Sequence, residues 1–275
     1  MRIESSEPQM TGLISQLPTM NQMTSETYQR WLAEMREQDR VHRKQWEYVY
    51  ILQALLENNL LKSGVRGVGF GVGKEPIPAV LANRGCTILA TEINIEKPNE
   101  GGWVKGKSVD QMLEDLNDRG ICDSGKFAEL VSFRDIDMNN IPPDISNFDF
   151  TWSCCSLEHL GSLRRGEDFI FNSLKCLKPG GLAVHTTEFT LAKKRTVESG
   201  STVFYRKSDI ISLAQRLEAE GHEIALNFSN GRRFLDWYVD FSPYRNRKHL
   251  KLIVSKQWKL LLATSIGLII KKKPG

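Results

Sequence analysis

Along the 275 residues the spacing of hydrophobic positions changes character twice. Residues 1 to about 23 are polar and Met-rich without a clear period, and read as a loosely held arm. From Ser25 to about Asn59, Tyr28, Trp31, Leu32, Met35, Trp46, Val49, Leu52 and Leu55 recur at helical spacing, predicting two helices or one broken one. From Gly64 onward, short apolar runs alternate with helix-like stretches, the pattern of βαβ units and a mostly parallel sheet. Seven strands are expected, at 67–70, 87–92, 130–134, 148–153, 181–186, 223–228 and 265–271. Helices are expected at 77–82, 109–117, 167–177 and 208–220. The chain thus divides into an N-terminal arm with helices over 1–60 and an α/β domain over 61–275, with an insertion around 229–259 between the last two strands.

Composition narrows the classes. An apolar content of 40% supports a large buried core. The formal charge of +4 arises from 37 basic and 33 acidic residues, a mixed surface rather than a nucleic-acid-coating field, so no nucleic-acid partner is expected. The five cysteines are odd in number and form no Cys-x-x-Cys pair, which argues against a zinc site or a disulfide framework and for a reducing, cytoplasmic setting. The acidic start MRIESSEPQM lacks the basic n-region of a secretory signal. The apolar run 260–270 contains Thr264, Ser265 and Gly267, is about half a bilayer span, and reads as a buried strand.

Five segments carry candidate chemistry. In Gly67-Val-Gly-Phe-Gly-Val-Gly73-Lys-Glu-Pro, Gly69, Gly71 and Gly73 allow a tight turn and the close approach of a ligand where a Cβ would collide. A dinucleotide fingerprint needs a glycine where Lys74 stands, no Walker pattern follows, and a plain strand-to-helix turn has the same look. Next, Cys86-Thr-Ile-Leu-Ala-Thr-Glu92 ends an apolar strand in an acid about twenty residues after the glycine turn, where a carboxylate can hold both hydroxyls of a ribose. Third, Asp137 and Met138 after the next strand suit an adenine amino group and ring face, with Asp135 a competitor and an Asx turn the alternative. Fourth, Ser-Cys-Cys-Ser-Leu-Glu158-His159-Leu-Gly161 releases an acid and a histidine at the carboxyl edge of the sheet, where open α/β sheets bind ligands, although loop packing also explains a histidine there. Fifth, in Leu177-Lys-Pro-Gly-Gly-Leu-Ala-Val-His185-Thr-Thr-Glu188-Phe, His185 and Thr187 share a strand face, and Glu188 can join them if the strand has ended. His185 and Glu188 then form a base and its orienter, part of a divalent-metal site, or a structural hydrogen-bonded pair. No complete metal-ligand set is present.

Taken together, these segments resemble the class I S-adenosylmethionine-dependent methyltransferases over roughly residues 64–273. The resemblance rests on GVGFGVGKEP, Glu92, SCCSLEHLG and LKPGGLAVHTTEF. It implies a Rossmann-like, seven-stranded, mostly parallel sheet and S-adenosylmethionine as cofactor. It also implies that Gly69, Gly71 and Gly73 approach the methionine end and ribose, that Glu92 holds the ribose, and that Asp137 with Met138 holds the adenine. Ser156 joins that cofactor set. Many members carry an acid two residues before the first glycine of the turn, where this chain has Gly67, so Glu75 is the substitute carboxylate for the cofactor's amino group. The GKEP, EHLG and HTTEF variants look most like methyltransferases of bacterial polysaccharide and glycan assembly, including lipopolysaccharide.

A sugar hydroxyl is a poor nucleophile at neutral pH, so O-methylation needs a base, for which His159, His185 and Glu188 are the candidates. The 229–259 insertion is rich in arginine and aromatic residues, a mixture that suits sugar stacking and anion clamping or simply makes a basic solvated loop. With Glu158, its Arg232, Tyr238 and Arg245 are the acceptor-binding candidates. The expected partner is a small-molecule or glycan acceptor, with oligomeric state left open. Methylation of another small molecule or of nitrogen or carbon, and a cofactor-binding protein without turnover, are the competing readings. A nucleotide-sugar oxidoreductase is disfavoured by Lys74 and by the lack of a Tyr-x-x-x-Lys pair.

Overall fold

A computed structural model describes residues 2–93, 108–244 and 248–275. The domain is a single mixed sheet with helices on both faces, so the expected α/β, Rossmann-like architecture is what the chain adopts. Its parallel part runs β5(Val131–Asp135), β4(Thr87–Glu92), β3(Arg66–Phe70), β6(Phe148–Cys154) and β7(Leu177–Thr190). Antiparallel β11(Lys259–Lys271) follows β7, and β8(Glu223–Asn227) lies antiparallel beyond β11. These are the seven expected strands, and the order reverses direction between β3 and β6.

Among the described residues the sheet has 11 strands, four of them short and not read from the sequence. β1(Arg2–Glu4) and β2(Ser15–Gln16) pair parallel with β8, and β2 also pairs Gln16 with Gly267 of β11. The arm is therefore built into the sheet rather than loosely held, with Met10 and Leu17 buried. Strands this short carry no alternation to detect. β9(Asp240–Phe241) and β10(Leu252–Lys256) extend the far end of β11.

α1(Met20–Met23), α2(Glu26–Glu34) and α3(Arg43–Glu57) follow the arm. Ser25 caps α2 by accepting from the Tyr28 N–H, and the His42 ring accepts from the Lys44 N–H at the start of α3. α3 is buried nearly all round because it lies under α2 and across β6, β7 and β11. Gly267 makes room for it, since a Cβ there would lie 2.2 Å from the Tyr50 ring. α4(Ile77–Asn83), α5(Val109–Leu116) and α6(Ser124–Leu130) cover the β3–β5 half, while α7(Leu163–Lys175) and α8(Lys207–Ala219) pack the opposite face. α6 was unforeseen because only Phe127 of its residues is fully buried, leaving no periodic stripe. α9(Phe234–Trp237) lies in the insertion. Among the described residues no helix is long and apolar enough to cross a membrane.

Two expectations about strands change. β7 does not stop at Thr186 but continues, paired with β11, to Thr190 opposite Ala263. Alternation therefore holds through Glu188, and His185 and Glu188 face opposite sides of the sheet. In β3, Gly67 and Gly69 serve packing: a Cβ would lie 2.3 Å from the Phe150 ring at the first and 2.2 Å from the Trp152 ring at the second.

Candidate active site

The turn after β3 and the loop after β6 meet at the reversal point of the sheet, where open α/β sheets place ligands. Gly71 sits at φ +65°, and a Cβ there would lie 2.5 Å from Ser156 Oγ and 3.3 Å from Met138 Sδ. Ser156 Oγ donates to the Gly71 carbonyl at 2.9 Å, joining the two loops. Gly73, at φ +51°, faces open space. Its N–H donates to Glu92 Oε2 at 3.0 Å, while Glu92 Oε1 accepts from the Ile93 N–H at 2.9 Å. Burial pushes the Glu92 carboxyl above its usual range, and these two backbone donors pull the other way. Met138 is buried against the same turn, whereas exposed Asp137 accepts from the Asn139 N–H at 2.8 Å, the geometry of an Asx turn. Gly71, Gly73, Glu92, Met138 and Ser156 are thus brought together, with Asp137 at the margin. Gly69 is not among them, because its missing side chain accommodates Trp152.

Glu75 also lies elsewhere. It is buried beneath the turn and accepts from the Trp152 indole N–H at 2.5 Å. Burial holds its carboxyl well above the usual range. This position does not support the expected contact with a cofactor amino group, because the carboxylate points into the core.

Beside the turn lies a buried cluster of charges. Arg43 Nη2 donates to Glu188 Oε1 at 2.6 Å, and Arg43 Nη1 stands 3.0 Å from Ser265 Oγ. Lys44 Nζ is 3.5 Å from Glu188 Oε1, 3.7 Å from Glu47 Oε2 and 3.9 Å from Glu158 Oε1. Thr187 donates to Glu158 Oε2 at 3.2 Å, and Cys154 and Thr186 donate to Glu47 Oε2, each at 3.3 Å. Glu158 Oε1 and Glu188 Oε2 remain buried without a hydrogen-bond donor. The two acids are driven apart. Burial raises Glu158, Lys44 opposes that, and the Glu188 charge adds to it, leaving the carboxyl above its usual range. Burial also opposes Glu188 ionisation, but Arg43 and Lys44 outweigh it and hold that carboxyl low. Such divergence marks pairs suited to acid and base roles.

Cys155, between β6 and Glu158, adopts φ +45°, a backbone conformation rare for residues other than glycine. Among the described residues, Cys155, Glu158 and Glu188 have the spacing of metal ligands, their ligand atoms lying within 4.8 Å of one another. Arg43 and Lys44 already supply positive charge to those carboxylates, so the arrangement gives no support to a divalent-ion site.

The histidines separate. His159 is exposed in a 3-10 turn, Leu157–His159, and its Nδ1 lies 2.7 Å from the Ser201 carbonyl. A carbonyl can only accept, so Nδ1 carries a proton. His185 is fully buried between β7 and α7, its nitrogens contacting Ser153 Oγ at 2.9 Å and Ser173 Oγ at 3.2 Å. Burial lowers its pKa to about 3. The expectation that His185 is a base oriented by Glu188 is therefore corrected: it is a core histidine on the other face of the strand.

In the insertion, Arg232 is exposed and Tyr238 half-buried, while Arg245 lies outside the described residues. The insertion is fixed to the arm instead, through Asp236 Oδ1 accepting from the Met20 N–H at 2.6 Å. The site residues that sequence reasoning missed are Arg43, Lys44 and Glu47. Their signal was present: Arg43 and Glu47 are four apart on a helix whose surroundings are otherwise apolar, and such charges require buried partners.

No family model and no curated protein matches the chain. Solved structures of similar fold include magnesium protoporphyrin IX methyltransferase from Synechocystis with bound S-adenosylhomocysteine, at 11% identity and TM-score 0.48, covering 91% of this chain and 96% of that one. A TehB-like S-adenosylmethionine-dependent methyltransferase from Corynebacterium glutamicum aligns at 16% identity and TM-score 0.42, covering 89% and 95%. The CcbJ methyltransferase from Streptomyces caelestis aligns at 12% and 0.44, covering 81% and 94%.

Proposed function

We propose that this chain is an S-adenosylmethionine-dependent methyltransferase acting on a hydroxyl of a sugar or glycan-type small molecule. The observation that carries the reading is the adjacency, at the reversal point of the sheet, of a glycine cradle that a Cβ would fill and a pair of oppositely shifted carboxyls with unpartnered oxygens. When bound, S-adenosylmethionine supplies a methyl carbon carried on a positively charged sulfur. Gly71 and Gly73 provide the backbone surface for it, Glu92 the ribose carboxylate, and Met138 with Asp137 the adenine contacts. Ser156 holds the two loops together.

On the acceptor side, the ionised Glu188 orients a hydroxyl through Oε2, while Glu158, with its raised pKa, takes the proton as the oxygen attacks. This exchanges the roles expected of Glu158 and Glu188, because a carboxyl held low by Arg43 is the weaker base. All five cysteines are free thiols, which suits the reducing cytoplasm expected for such an enzyme.

Calorimetry with S-adenosylhomocysteine, followed by mass spectrometry of products from a panel of sugar acceptors, tests the reading. Saturable binding and the gain of one methyl group on an acceptor oxygen support it. Preferential binding of NAD would overturn the cofactor assignment, and methylation confined to nitrogen or carbon would overturn the acceptor assignment.

A further inference from the structure

The β10–β11 hairpin has two different faces. Val254, Leu261 and Ala263 pack inward with Val197 and Phe204. On the outer face the register aligns Phe241, Ile253 and Leu262 across three strands, and sets Leu260 beside Ser255. Phe241 and Leu260 are 65% and 68% exposed, and Trp258, at the hairpin tip between Lys256 and Lys259, is fully exposed.

The neighbouring loop adds charge. Lys193, Lys194 and Arg195 are all exposed. Two contacts fix the loop to the hairpin: Gln257 Nε2 donates to the Ser199 carbonyl at 2.7 Å, and Lys259 Nζ donates to the Thr196 carbonyl at 2.8 Å. Lys194, Arg195 and Lys259 line a cavity of about 380 Å³. Arg206 in its wall is already held by Asp209 and Glu198, and Lys259 by the Thr196 carbonyl, so Lys194 and Arg195 remain for an external anion. A chain with a formal charge of only +4 thus concentrates five cations around one protruding indole.

From this juxtaposition we infer that the hairpin tip and the 193–195 loop dock on an anionic lipid bilayer, with Trp258 and Leu260 entering the headgroup region and the cations meeting lipid phosphates. The indole sits at the polar boundary, while lysine stems lie along apolar surface and carry their charge to the headgroups. A second copy of the chain would bring the same cations to the contact and repel. A nucleic acid would use the charges but not the aliphatic strand face behind Trp258. The inference is independent of the methyltransferase reading.

Co-sedimentation of the full chain with vesicles of phosphatidylcholine alone, and of phosphatidylcholine mixed with phosphatidylglycerol, tests it. Binding to the mixed vesicles alone is expected. Trp258→Asn, which tolerates the positive φ of this position, and the combined Lys193→Ser, Lys194→Ser and Arg195→Ser variant should each weaken that binding about tenfold or more. Trp258→Phe should retain most of it. Brominated lipid should quench tryptophan emission in the native chain and not in Trp258→Asn. Absence of vesicle binding, binding unchanged by these substitutions, or tighter binding to a single-stranded RNA oligonucleotide than to vesicles would overturn the inference.

Discussion

Arg43 and Glu188, separated by 145 positions in the chain, form a buried ion pair at 2.6 Å that fastens the first turn of α3 to the carboxyl end of β7. Removing one member of a buried pair leaves the other charge without compensation. Arg43→Ala is expected to lower stability by about 3 to 5 kcal/mol, read from denaturant unfolding. Adding Glu188→Gln should recover part of that loss, because the stranded charge is then gone. Equal stability of Arg43→Ala and the native chain would mean that solvent reaches Glu188 freely.

Cofactor affinity should depend on Gly71 for two separable reasons. A side chain there meets Ser156 and Met138, and it also strains a backbone at φ +65°. Gly71→Val is therefore expected to abolish S-adenosylhomocysteine binding in calorimetry. Ser156→Gly in the Gly71→Ala background should restore only part, since it removes the collision and leaves the strain.

Kinetics distinguish the two acids. Glu158→Gln should lower kcat by about 10²-fold or more with little change in cofactor affinity, as expected for loss of a proton acceptor. Glu188→Gln should act chiefly on the acceptor KM. The reverse split would return the base role to Glu188.

The buried His185 makes a prediction about acid stability. Its folded pKa of about 3 lies below the ordinary 6.5, so between those values the unfolded chain binds a proton that the folded one does not. Stability is then fully present above pH 6.5 and falls as pH is lowered toward 3, by at most about 1.4 kcal/mol per pH unit from this group. His185→Asn should flatten that part of the stability–pH curve, measured against the native chain.

The parallel half of the sheet was legible because each of its strands carries its own local pattern. The turn at Gly71 and the strand-end Glu92 were legible for the same reason, being residue types at fixed local spacing. The Glu75 contact was not, because its partner Trp152 lies 77 positions away and only packing decides which way the carboxyl turns. His185 misled because a histidine in a buried strand reads alike whether it faces a cleft or Ser173. That Glu188 lies on the opposite face from it followed from how far β7 runs, and β11 sets that by pairing as far as Thr190. Arg43 and Lys44 drew no assignment within the helical segment 25–59, since nothing local identifies acids that arrive from β7 and from the turn after β6.

The wedge formed by β2 has a consequence for the order of assembly. Ser15 and Gln16 fill the gap where β8 and β11 diverge, so one of the first segments of the chain depends for its place on two of the last. During synthesis β3 to β7 can pair while the arm still lacks its partners. Closure of the sheet's other half waits for β11, a long-range step of the kind that slows folding.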